Sequence, residues 1–332
     1  MDALPVVDLT AFHNDPSGPE RLAVVEELRR AAHEVGFIYF CGHGVDPNLD
    51  DAMFGTAREF FDLSEADRRA LAIEHSPAFC GYTTLGDEVT NGRSDWRDQL
   101  DLGPEQPPPE HGPDDPAWMR LRGPNQWPTA LPTMAPTVMR WMAAMDDVGI
   151  TALRALAVGL GLPIDHFDHG FLPESDVHLK IIRYPSSTTD AGDGQGVGLH
   201  ADTGLLTFIL QDEVGGLQVQ IGGEMIDAPA RPGMYLMNLG EMLETATDGY
   251  LKATPHRVVS PPPGRERISI AYFFNPRFEL PFERVELPDE LAAVAPGADH
   301  DGVGLRVFGE NNLKTRLRSH PDVARRHYAD LA

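Results

Sequence analysis

Residues 196–211 read GVGLHADTGLLTFILQ, a histidine and an aspartate one residue apart followed by an apolar run at 205–211. In an extended chain, residues i and i+2 point to the same side, so His200 and Asp202 can face one metal together while Ala201 faces away. The run LLTFILQ then supplies a strand candidate directly behind them. A second imidazole would have to arrive from another strand. PHRVVS (255–260) begins with His256 and continues β-branched, as such a strand should. Two imidazoles and one carboxylate suit a facial triad for non-haem Fe(II), which leaves the opposite coordination positions open for O2 and an organic ligand.

His-x-Asp by itself carries little weight, because it occurs four times: His13/Asp15, His166/Asp168, His200/Asp202 and His320/Asp322. His13 lies in a polar N-terminal segment, and His320 precedes a proline in a charged C-terminal stretch. His166 follows GLGLPID, a helix end with acidic neighbours. His200 alone sits in a short extended run with an apolar strand after it.

Ten residues beyond His256, ERISIAYFFNP (266–276) reads as a strand with Arg267, Ser269 and Ala271 on one face and Ile268, Ile270 and Tyr272 on the other. An arginine and a serine pointing into a barrel interior need a partner, since a buried guanidinium without one is expensive. A dicarboxylic cosubstrate would supply it, the planar fork taking a carboxylate bidentately and the hydroxyl adding a further bond.

The pattern His200-x-Asp202, His256, Arg267-x-Ser269 resembles the 2-oxoglutarate/Fe(II)-dependent dioxygenases, in the branch containing isopenicillin N synthase. LPVVDLTAF near the start, LRRAAHEVGFIYFCGHGV (28–45), GPNQWP (123–128), KIIRYP (180–185), GGLQVQ (215–220) and RPGMYLMNLGEMLETATDGYLKATPHRV (231–258) follow in that family's order. The resemblance covers residues 4–330. It implies a mainly β fold with flanking helices and a double-stranded β-helix (jelly roll) core. It also implies His200, Asp202 and His256 as iron ligands, Arg267 and Ser269 on the distal carboxylate of 2-oxoglutarate, and Tyr184 facing the cosubstrate. Fe(II), 2-oxoglutarate and O2 would be consumed or held with release of succinate and CO2. Plant-type members often carry an asparagine two residues before that tyrosine, where this chain has Ile182. Because isopenicillin N synthase and aminocyclopropane carboxylate oxidase keep the Arg-x-Ser pair without using 2-oxoglutarate, the pair implies a carboxylate rather than a particular one. The alternatives are therefore a cosubstrate-free oxidase and, outside catalysis, a jelly-roll binding protein. Members act on hormones, flavonoids, peptides and small antibiotics, so the resemblance implies a small-molecule substrate, with a place in secondary metabolism, and does not name it. Tyr82, Arg93, Lys180 and Arg183 are candidates for choosing it, with a structural ion pair the competing role for each charge.

Composition narrows the rest. With 27 Lys plus Arg against 51 Asp plus Glu, the formal charge of −24 argues against nucleic-acid or anionic-membrane binding, which needs a basic footprint. The acidity is expected to belong to a cytoplasmic protein's surface. No apolar stretch is long enough to span a membrane, and MDALPVVDLT lacks the layout of a signal peptide. Cys41 and Cys80 cannot make a disulfide framework, and neither is a candidate for chemistry.

Four regions are expected along the chain. Residues 1–130 would be an N-terminal helix and strand region with Leu22, Val25, Leu28, Ala32 and Val35 on one helical face stopped by Gly36, and Leu49, Met53, Ala57 and Phe60 on another. Residues 131–175 would hold a long bracing helix through Val138, Trp141, Met142, Met145, Val148, Ala152 and Leu156. Residues 176–280 would form the jelly-roll core, with runs at 178–184, 197–201, 205–211, 217–221, 233–239, 255–260 and 267–275, and 281–332 a helical Arg-rich end that packs back on an acidic molecule or another subunit. The Gly-rich segment 186–198 never satisfies G-x-G-x-x-G in register, which excludes a dinucleotide role.

Overall fold

The computed structural model describes residues 4–90, 92–112, 114–186, 195–298 and 306–331. Most of the Gly-rich segment, residues 187–194, therefore lies outside the described residues. Short β-branched and aromatic runs punctuated by Gly and Pro favour strands. In chain order these are β1 (Val6–Asp8), β2 (Phe37–Cys41), β3 (Gly81–Thr83), β4 (Val89–Thr90), β5 (Arg93–Ser94), β6 (Asp98–Leu102), β7 (His178–Tyr184), β8 (Gln195–His200), β9 (Leu206–Gln211), β10 (Leu217–Ile221), β11 (Glu224–Asp227), β12 (Tyr235–Leu239), β13 (His256–Val259) and β14 (Arg267–Phe274). A major sheet runs β1-β2-β12-β9-β14-β7-β6-β3, a minor sheet runs β11-β10-β13-β8, and β4 pairs with β5 apart from both.

The period-2 alternation explains how the sheets stack. Phe37 and Tyr39 of β2, Ile182 and Tyr184 of β7, Ile209 of β9, Leu236 of β12 and Ala271 of β14 share one buried cluster with Val197 of β8, Leu217 and Val219 of β10 and Val258 of β13. The two sheets thus face each other across these residues. The alternate residues of the major sheet, among them Ile38, Phe40, Leu179, Ile181, Phe208, Met237 and Ile270, join the helices in a second core. This is the jelly roll, with its helices on the outer face of the larger sheet. The expected strand positions hold to within a residue or two, and β11 is an addition. The N-terminal region does more than flank: β1, β2, β3 and β6 are strands of the major sheet itself.

Helix Arg21–Glu34 ends at Gly36, whose φ of 68° lets its N–H reach the Ala31 carbonyl at 2.9 Å. A Cβ there would lie 2.1 Å from the Lys252 carbonyl oxygen, so the position is closed to side chains on two counts. Leu22 departs from the expected stripe: it sits in the first turn and is 59% exposed, beyond the edge of the packed face. Every stripe residue expected of the long helix is buried in Met134–Gly159. That helix is pinned by polar contacts as well as packing. Tyr272 of β14 donates to Asp146 at 2.7 Å, while Trp141 and Tyr235 both donate to Asp50, at 2.8 and 2.6 Å. The C-terminal helices Phe308–Ser319 and Pro321–His327 pack back on the molecule, Arg316 reaching Asp101 of β6 at 3.3 Å.

Two predictions test this packing. At Gly149 the long helix meets β14 so closely that a Cβ would lie 2.4 Å from the Phe274 ring. Gly149→Ala should therefore destabilise by about 1–3 kcal/mol, read as a lowered midpoint in urea unfolding. Burial pushes the Asp146 carboxyl up to about 6, with Asp147 adding to the push. A folded pKa raised above the ordinary 3.8 favours folding below that value, and the contribution is lost as pH rises toward about 6. Asp146→Asn keeps an acceptor for Tyr272 and removes the buried charge. It should raise stability at pH 7.5 by roughly 2 kcal/mol, with the difference vanishing toward pH 4; a constant difference across that range would refute the assignment.

Candidate metal centre and carboxylate pocket

His200 ends β8 and His256 begins β13, and the two are cross-strand partners in the minor sheet. The register shifts just beyond them, between His256 and Val258, as bulged pairing near a working site commonly does. Asp202 does not share a strand with His200, as the sequence spacing had suggested. The strand stops at His200, and Asp202 is carried by the turn that leads into β9. Even so, the Nε2 atoms of His200 and His256 lie 3.6 and 3.9 Å from Asp202 Oδ1. Among the described residues, no other group of three His, Cys, Asp or Glu side chains converges in this way.

Each of these candidate ligand atoms is prepared by its neighbours. His200 Nδ1 lies 2.8 Å from the Gly198 carbonyl and His256 Nδ1 lies 3.2 Å from the Thr254 carbonyl. A carbonyl can only accept, so each Nδ1 carries the proton and each Nε2 presents a lone pair to the centre. Asp202 Oδ2 accepts from Thr207 Oγ1 at 2.5 Å and from Asn238 Nδ2 at 2.8 Å, which leaves Oδ1 to face the imidazoles. Burial pushes the Asp202 carboxyl up, but the two imidazoles facing it and the hydrogen bond from Asn238 outweigh that push and hold the group well below the usual carboxylate range. Burial, with His200 nearby, pushes His256 down to about 4, so its ring is neutral and available as a ligand. Phe37 closes the side of His256, ring to ring at 5.3 Å.

On the major sheet opposite, Arg267 is 1% exposed. Its Nη2 donates to Gln211 Oε1 at 3.0 Å, its plane lies over the Tyr184 ring at 4.8 Å, and its Nε and Nη1 are buried with no partner. Cross-strand pairing sets Arg267 beside Tyr184, and Ser269 between Ile182 and Gln211. A buried cation with two idle donors in a planar fork fits a carboxylate ligand. The His, Asp and His donor set fits Fe(II) with open positions.

Of the four residues considered for substrate choice, the structure sets two aside. Tyr82 donates to Asp98 at 2.7 Å and Arg183 pairs with Asp98 at 2.7 Å, both on the helix-packed face of the major sheet. Arg93 stands on the exposed strand β5. Lys180 shares the inner face with Ile182 and Tyr184 and donates to Glu88 at 2.8 Å. Asn238, Thr207 and Gln211 were not anticipated as parts of the site. Asn238 in YLMNL is a polar residue on the alternate face of an apolar strand, a signal that could have found it; Thr207 and Gln211 have the same parity in LTFILQ.

Known proteins share this architecture. Residues 4–130 match the non-haem dioxygenase in morphine synthesis N-terminal family, and residues 176–276 match the 2OG-Fe(II) oxygenase superfamily. The chain is 35% identical to a 2-oxoglutarate-dependent dioxygenase of Dothideomycetidae sp. (strain 11243), over 97% of this chain and 91% of that one. It is 30% identical to a homoarginine-6-hydroxylase of Glycine max, over 86% and 89%. A full-length Neurospora crassa protein solved in complex with alpha-KG and 5-formyluracil superposes with a TM-score of 0.76 at 25% identity, covering 95% of this chain and 96% of that one. With the 35% identical relative named as 2-oxoglutarate-dependent and the Neurospora crassa protein solved with alpha-KG, neither a cosubstrate-free oxidase nor a non-catalytic jelly roll is favoured. The chain belongs to the 2OG-Fe(II) oxygenase superfamily and is an Fe(II)- and 2-oxoglutarate-dependent dioxygenase.

Proposed function

We propose that His200, Asp202 and His256 hold the iron, that Arg267 and Ser269 bind the far carboxylate of 2-oxoglutarate beside Tyr184, and that the enzyme hydroxylates or desaturates a small polar organic molecule. The observation that carries this reading is the buried Arg267 fork with idle Nε and Nη1, on the sheet facing the converged His200, Asp202 and His256 atoms. The relatives' own ligands, homoarginine in one name and 5-formyluracil in one complex, are small and polar, which supports the substrate class without choosing within it.

When bound, Fe(II) and 2-oxoglutarate would activate O2, which is the oxidant for both the substrate and 2-oxoglutarate, the latter leaving as succinate and CO2. This chain's residues supply the geometry. Thr207 and Asn238 fix the rotation of the Asp202 carboxylate, and the Gly198 and Thr254 carbonyls fix the two imidazole tautomers. Arg267 and Ser269 would hold a dicarboxylate by its far end and so restrict its orientation. Burial of His256, Asp202, Arg267 and Ser269 keeps bulk water from these contacts.

Anaerobic reconstitution with Fe(II) followed by 2-oxoglutarate should produce a visible metal-to-ligand charge-transfer band. A protein that binds iron yet gives no band would overturn the cosubstrate assignment and restore the cosubstrate-free oxidase. Asp202→Ala should abolish both iron retention and succinate formation. Arg267→Ala should raise the KM for 2-oxoglutarate at least about 30-fold, equivalent to about 2 kcal/mol of a buried charged contact, with iron binding unchanged.

A further inference from the structure

Beside the metal centre lies a buried polar surface that the chemistry above does not use. On the inner face, Lys180 donates to Glu88 at 2.8 Å and lies 3.8 Å from Asp101. Arg97 lies 2.9 Å from Glu88 and 3.3 Å from Asp95, and Arg316 reaches Asp101 from the C-terminal helix at 3.3 Å. The surface abuts the ligand strand, since Asp95 accepts from the Gly198 N–H and from Gln195 Nε2, both at 3.2 Å.

These ions balance. The carboxylates Glu88, Asp95 and Asp101 are matched by Arg97, Lys180 and Arg316. Burial pushes His178 down to about 3 and His320 down to about 4, so neither imidazole adds charge near neutral pH. A ligand ion entering here would have to displace a partner and leave a buried charge unpaired, which is strongly unfavourable. The surface is therefore set against both cations and anions.

Neutral hydrogen-bonding capacity is left over. Gln99 Nε2 donates to Asp101 Oδ2 at 2.7 Å, which turns Gln99 Oε1 away, buried and without a donor. Thr83 Oγ1, on the residue paired with Gln99 across β3 and β6, is also unpartnered, as are Arg97 Nε and His320 Nε2. All four residues are at most 8% exposed. Glu88 Oε2 makes no hydrogen bond either, but its charge is paired with Arg97 Nη2 at 2.9 Å, and His320 Nε2 lies 3.9 Å from the other Glu88 oxygen. Buried polar atoms nearly always find partners, so the idle atoms of Gln99, Thr83, Arg97 and His320 point to a ligand. They offer one acceptor, one donor, and two groups able to act as either.

We infer that Gln99, Thr83, Arg97 and His320 form the substrate subsite, and that it takes an uncharged molecule presenting an N–H beside a C=O, as in an amide, lactam or ureido group. The N–H answers Gln99 Oε1 and the carbonyl answers Arg97 Nε. A hydrocarbon would leave both unpaired, and a site built for hydrogen bonds rejects ligands that lack them. The inference rests on the iron and cosubstrate reading for its place in the reaction, not for its binding chemistry.

The test is calorimetric titration of the anaerobic Fe(II) and 2-oxoglutarate complex with uracil and 2-pyrrolidinone as neutral probes, arginine as a cation and hexanoate as an anion. The neutral probes should bind at least about tenfold tighter than either ion. Gln99→Leu and the near-isosteric Thr83→Val should each weaken the neutral probes by about tenfold while the 2-oxoglutarate charge-transfer band titrates as in the wild type. Wild-type protein that prefers arginine or hexanoate overturns the inference, whether or not either variant folds. Folded variants with undiminished probe binding overturn it as well. Absence of the charge-transfer band in wild-type protein counts against the cosubstrate reading alone, because probe selectivity is then still measured on the protein without it.

Discussion

Arg267 has been taken out of water at the centre of the major sheet, with β9 and β7 hydrogen-bonded on either side of its strand. One neutral hydrogen bond to Gln211 and the face of Tyr184 do not compensate a desolvated guanidinium. The rest of the jelly roll must carry that cost, and it does so through two extensive apolar layers, one between the sheets and one against the helices. A rigid strand paired on both edges also keeps the fork from swinging out to solvent. Stability is thus spent on keeping a charge buried with two of its donors idle.

The same logic governs the three groups proposed to hold the metal. Three groups that would each be better solvated apart are brought together by a turn, the end of one strand and the start of another. Nearby backbone carbonyls and the Thr207 and Asn238 side chains then leave each ligand one useful direction. The Asp202 carboxylate is acidic in the folded protein because both imidazoles face it, so its charged form is the one the fold selects.

The acidic composition has a second meaning that only the structure discloses. Glu88, Asp95, Asp98 and Asp101 are not surface residues; each is at most 5% exposed and each is matched by Arg97, Lys180, Arg316 or Arg183. The N-terminal strands β3 and β6 and the C-terminal helix Phe308–Ser319 meet in this network. Segments far apart in the chain are thereby joined beside the metal centre, and breaking one ion pair would strand its neighbour's charge.

The closure of the core as a jelly roll was implied by the family resemblance, whereas its strands were legible in the sequence because they alternate apolar and polar residues or run continuously apolar, with Gly and Pro marking the turns between them. The helical stripes were legible for the same reason, with Leu22 misplaced because periodicity does not say where a packed face ends. His200, Asp202, His256, Arg267 and Ser269 were picked out by context, since His-x-Asp occurs four times and only the pair at 200 and 202 is followed by an apolar run, a second histidine heading a β-branched run and an Arg-x-Ser strand. The strand DQLDL of β6 was not recognised: its carboxylates look solvated in one dimension, and cations from residues 180, 183 and 316 make them burial-competent only in three. Whether Asp202 reaches the imidazoles from a strand or from a turn was likewise beyond the sequence. Local pattern determines which residues can form strands and which can bind a metal. Pairing between distant residues decides which charges are buried, which polar atoms are left idle, and so what the site can receive.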